Sequence, residues 1–187
     1  MTMLDNSVPV QTRKSRHTAT PRRFSFAAAA AVSLLAAAIW LSSHLRPSPA
    51  LHEAALFVHL CSLILGFGAV LVGDYFFTLW ALRRTTFAEA ISSASRLHLL
   101  VWSGLVGLVL SGTLLEPDLR SGATLLKLAF VAVLTVNGLQ ATILSKRMES
   151  IGGTPPIQLL AWGAATTAMS QICWWGAVVI GFLNAAK

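Results

Sequence analysis

Five side chains in this sequence are chemically out of keeping with their surroundings. His59 and Asp74 lie inside the apolar run from His52 to Arg84, and His98, Lys127 and Trp174 lie in later apolar stretches. An imidazole can ligate haem iron or a soft metal, and a lysine beside it can serve as a counter-charge or as the partner of a propionate. A carboxylate near an imidazole stabilises the charged ring and can pass protons. Ionisable groups inside a membrane span are costly, so each is a functional candidate by default.

The elements that must position them follow from composition. The chain has 187 residues, 55% of them hydrophobic and only 11% charged, well below the quarter or so expected of a soluble domain. An all-α, polytopic transmembrane helical bundle in a lipid bilayer is expected. The net charge of +7 sits in short segments between apolar runs, which records membrane orientation, and nucleic acid is not an expected partner. Cys61 and Cys173 both fall in apolar stretches without paired spacing, so neither a disulfide framework nor a zinc site is indicated.

Five spans are expected. Residues 1–23, with Arg13, Lys14, Arg16, Arg22 and Arg23 and no apolar periodicity, read as a disordered basic cytoplasmic arm. Residues 24–45 form an alanine-rich anchor, with a cleaved signal sequence ending near Ala50 as the alternative. Residues 52–184 hold a four-helix core, whose later spans are Leu97 to Leu115, Ser121 to Leu144 and Ile157 to Asn184, with 85–96 a polar, partly helical connection. At roughly 100° per residue, His52, His59, Gly66 and Gly73 share a stripe with Asp74 about 60° off it, a face suited to a bundle interior. Ser103, Gly107 and Ser111 make a small-residue stripe that allows close helix approach.

With the N-terminus in the cytoplasm, inner segments hold ten Lys and Arg and outer segments three, Lys127 being within a span. The C-terminus then lies outside. Depth follows from this topology. His59 and Lys127, with Trp174, fall in an outer layer; Asp74 and His98, joined by Asn137 and Gln140, fall in an inner one. His59 and Asp74 are about 22 Å apart along their helix at 1.5 Å per residue. His59 and His98 therefore lie too far apart in depth to clamp one haem from opposite faces. A b-type haem on His59 alone, with Lys127 near a propionate, is the cofactor this pattern admits. A lone histidine in a bundle is more often a hydrogen-bonded structural residue. Asp74 and His98 read as an inner polar pair, either a proton relay or two partly hydrated interfacial groups.

His44, His52 and His59 with Cys61 and Met169 suggest copper permeation, but Cys61 is about 200° around the helix from His59 and cannot share an ion with it. No catalytic motif is present. The leading expectation is a membrane protein whose polar core residues organise the bundle, a partner interface or a homo-oligomer.

The succession His59, Gly66-x-Gly68, Gly73-Asp74-x-Phe76-Phe77, then Lys127 with Asn137-Gly138, then Ser170, Trp174 and Gly181 resembles an uncharacterised family of small bacterial multi-pass membrane proteins with four core helices. The resemblance covers about residues 52–184 and leaves the first span as an addition. More distantly, the pattern is similar to copper-resistance D-type and haem-binding protoporphyrinogen-oxidase-type membrane proteins. That similarity implies a haem or copper connection for His59 and Lys127.

Overall fold

A computed structural model describes residues 21–151 and 153–185. Among them run five α-helices, α1 (Pro21–Ser42), α2 (Pro49–Ala81), α3 (Phe87–Gly112), α4 (Gly122–Glu149) and α5 (Ile157–Ala185), with no strand. All five are long and apolar enough to cross a bilayer. The protein is a multi-pass membrane protein. Residues 1–20 of the expected basic arm lie outside the described residues, and residues 21–23 already belong to α1.

Local chemistry sets the helix ends. Ser48 caps α2 by accepting from the Leu51 amide at 3.4 Å, with Pro49 following at a position that has no amide hydrogen to satisfy. At its far end α2 closes through Arg83 N–H to Trp80 O and Arg84 N–H to Leu79 O, at 2.9 and 2.8 Å. Arg83 takes the left-handed conformation, φ 58°, that this closure requires. α3 begins ten residues before the expected Leu97. Thr86 and Glu89 form a reciprocal cap, Glu89 N–H to Thr86 Oγ1 at 3.2 Å and Thr86 N–H to Glu89 Oε2 at 3.1 Å. The polar, partly helical connection expected at 85–96 is, from Phe87 on, the first turns of α3, where Phe87, Ala90 and Ile91 are buried.

α2 and α3 form an antiparallel hairpin that is the closest contact in the bundle. Gly66 and Gly104 face each other backbone to backbone, and a β-carbon at Gly104 would stand 2.7 Å from the Ser62 carbonyl oxygen. Ser62 also occupies the space above Gly107. α4 and α5 form a second hairpin in which Phe130 covers Gly176 and Met148 covers Gly163. The hairpins meet where Trp102 of α3 lies on Gly138 of α4, and α1 packs mainly on α4.

α2 and α5 approach through long side chains. Phe67 stacks on Trp174 at 5.6 Å and meets Trp175 edge-on at 5.0 Å. Two apolar clusters result. One is centred on Phe67, Leu134, Cys173 and Trp174, and the other on Phe87, Ile91 and Met148 with Phe77 and Trp80 against it. Ile64, Leu99, Phe57 and Phe182 are exposed on the outside, the surface that lipid chains cover.

A methyl group at Gly104 is expected to force α2 and α3 apart, at about 1–3 kcal/mol for overpacking. Gly68, with nothing within 4 Å of a built β-carbon, serves as the control. Thermal unfolding in detergent should show Gly104→Ala clearly destabilised and Gly68→Ala unchanged or slightly stabilised. Equal behaviour of the two would contradict the close contact.

Candidate functional site

The α2–α3 contact sets the register that pairs polar groups at two levels. At the first, His59 Nδ1 lies 2.9 Å from Ser111 Oγ, which itself donates to the Gly107 carbonyl at 2.6 Å. Because the hydroxyl proton is directed at Gly107, Ser111 accepts from His59. The network therefore assigns the imidazole proton to Nδ1 and leaves Nε2 with the lone pair. Gly112 makes room for the ring, since a β-carbon there would stand 3.6 Å from His59 Cε1.

Lys127 reaches the same level from α4. Its Nζ would be 3.9 Å from a β-carbon on Gly181, near the end of α5. His59 and Lys127 are thus brought to one end of the core, both partly buried. Trp174 does not join them. It is 2% exposed, packed on Phe67 and beside Gly66, seven residues along α2 from His59, or about 10 Å at 1.5 Å per residue. Its expected place in the outer layer is corrected to the middle of the bundle.

These positions bear on a haem. An imidazole whose Nδ1 is held by a hydrogen bond is oriented as an iron ligand would be. A porphyrin also needs a flat slot beside that nitrogen, and neither of the two cavities described below is lined by His59 or Lys127. His98 sits at the other level, and Trp174 between the two. His59, Trp174 and His98 thus stand at three different depths.

At the second level Asp74 accepts a hydrogen bond from the Gln171 side-chain amide across the α2–α5 interface. The expected partner, His98, shares a cavity with Asp74 without a hydrogen bond between them. This cavity, about 160 Å³, is walled by all four core helices, with Asp74, His98, Asn137, Ser145 and Ser170 among its lining. Trp174 stands at the edge shared with the first apolar cluster, and Phe77 at the edge shared with the second. Asn137 links α4 to α5 by donating to the Thr166 carbonyl at 2.9 Å. Gln140 turns away into a separate open cleft of about 710 Å³ between α1, α4 and α5.

The remaining candidates disperse. His44 packs against Trp40 with ring centres 4.3 Å apart, Cys61 is exposed and Cys173 is buried in the core. Among the described residues no group of three or more His, Cys, Asp or Glu side chains could hold a metal ion. Sequence reasoning missed Gln171, Ser170, Ser145 and Thr167 as members of the polar level. The available signal was the placement of Ser170, Gln171 and Trp174 within one turn of α5.

A double-mutant cycle on Asp74→Ala and Gln171→Leu is expected to give a coupling on the order of 1 kcal/mol, the usual scale for hydrogen bonds between membrane helices. The cycle on Asp74→Ala and His98→Phe should give a value near zero. Denaturation in mixed micelles measures both, and the reverse ranking would contradict the geometry. Compared with protein-family models, curated proteins and solved structures, the chain matches none.

Proposed function

We propose that the four-helix core is a non-enzymatic membrane protein that holds a small polar solute inside the bilayer, in the cavity walled by Asp74, His98, Ser145 and Ser170. One observation carries this reading. Among the described residues, the side chains of His98, Ser145, Thr167 and Ser170 have no hydrogen-bond partner, and Asp74 uses only one of its two oxygens, yet all line the same cavity. In hydrocarbon each unsatisfied polar group costs several kcal/mol, so such a wall is stable only against water or a polar guest.

The flanking chemistry supports the same reading. Phe67, Leu134 and Trp174 lie on one side of the cavity and Phe77, Phe87 and Met148 on the other. Apolar layers thus flank the polar wall at both ends. A second reading, in which polar side chains serve to organise the bundle or a partner interface, is favoured by the Asp74–Gln171 and Asn137–Thr166 bonds, which join separate helices. The excess of Lys and Arg on one set of connections, ten against three, supports an N-terminus in the cytoplasm, a C-terminus outside and residence in a plasma membrane of the bacterial inner type.

Thiol chemistry tests the wet compartment, because a methanethiosulfonate reacts with the thiolate, which forms in water and not in hydrocarbon. In a Cys61→Ser, Cys173→Ala background, Ser170→Cys is expected to react with aminoethyl methanethiosulfonate at least about tenfold faster than Ile172→Cys. Ile172 is 60% exposed on the lipid-facing side of the same helix. Equal inertness of the two positions would remove the compartment.

A further inference from the structure

Resting on the solute-binding reading above, we infer that the guest is a small ammonium ion, a primary or methylated amine, held at Asp74 between aromatic walls. The charge balance selects a cation. Among the described residues lining the cavity, Asp74 is the one acid and His98 the one imidazole, and neither Lys nor Arg contributes to the wall. The hydrogen-bond partner of Asp74 is the neutral amide of Gln171, and among the described residues no Lys or Arg side chain pairs with it. A carboxyl at membrane depth is relieved of its charge by a proton or by a cation, and an ammonium guest supplies both a positive charge and hydrogen-bond donors.

The wall then distinguishes an ammonium from a metal cation. Trp102, Trp174 and Phe77 all border the cavity, and aromatic faces attract an alkylated ammonium that sheds its water easily. A bare sodium or calcium ion would want a shell of six or more oxygens instead. The hydroxyls of Ser145, Thr167 and Ser170 provide acceptors for ammonium hydrogens on the side contributed by α4 and α5. A volume of about 160 Å³ admits a small amine such as methylammonium or ethanolamine.

The experiment uses the full chain in nanodiscs of zwitterionic lipid, titrated with methylammonium chloride and read by calorimetry and by tryptophan fluorescence. The expected result is a saturable response, weakened at least about tenfold in Asp74→Asn and retained in Ser111→Ala. Asparagine at position 74 keeps an acceptor for Gln171, so the helix contact survives. Ser170→Leu fills the cavity without touching that bond and should abolish the response, which keeps the test decisive if Asp74→Asn folds poorly. Sodium chloride binding as tightly as methylammonium would overturn the ammonium class, and acetamide binding as tightly would overturn the charge argument. Absence of any saturable response while Ser170→Cys stays reactive would overturn this inference alone. Loss of that reactivity would overturn the compartment itself.

Discussion

Inside a bilayer two helices gain nothing by hiding apolar surface from one another, because lipid tails are as apolar as leucine. What remains is close packing, and in this protein it is concentrated where Gly66 meets Gly104 and Ser62 meets Gly107. Any side chain at Gly104 would collide with backbone, so α2 and α3 can slide neither along nor around each other without losing the contact. That one constraint fixes which residues of the two helices share a depth. His59 is placed beside Ser111 and Asp74 on the same cavity as His98, and everything else about the polar levels follows from this register.

The rest of the core is built differently. α4 and α5 pair through large side chains over small ones, Phe130 on Gly176 and Met148 on Gly163, and the hairpins face each other across Phe67, Trp174 and Trp102. Bulky rings hold the hairpins apart at two depths and leave polar side chains between them. A bundle zipped throughout by glycine contacts would have no such space. The cavity is therefore a consequence of combining one tight hairpin with aromatic spacers, and its polarity comes from Asp74, His98, Asn137, Ser145 and Ser170.

Much of this was legible in the sequence. Length and apolarity marked all five spans, and counting residues along antiparallel helices placed His59 with Lys127 and Asp74 with His98 at separate depths. Hydropathy marks only the apolar part of α3, from Leu97 on, whereas its helical start lies in the capping pair Thr86 and Glu89. Trp174 was misplaced for a geometric reason. α5 runs for 29 residues, longer than a bilayer needs, so its midpoint falls near Gln171 and Trp174 is central rather than outer. The Asp74–Gln171 bond was not legible at all, because it depends on the rotation of α5 about its axis, which packing decides and periodicity does not.

The register of α2 against α3 is the claim on which the placement of every polar residue depends. It is tested most directly by oxidative cross-linking in the membrane of Ser62→Cys with Gly107→Cys, in a chain carrying Cys61→Ser and Cys173→Ala. A β-carbon at Gly107 would stand 3.0 Å from Ser62 Cβ, a spacing that small backbone adjustment brings into disulfide range. Rapid, near-complete intramolecular cross-linking of this pair, with little for Ser62→Cys combined with Ser103→Cys, is the expected result. Preferential cross-linking to position 103, or cross-links only between separate chains, would contradict it.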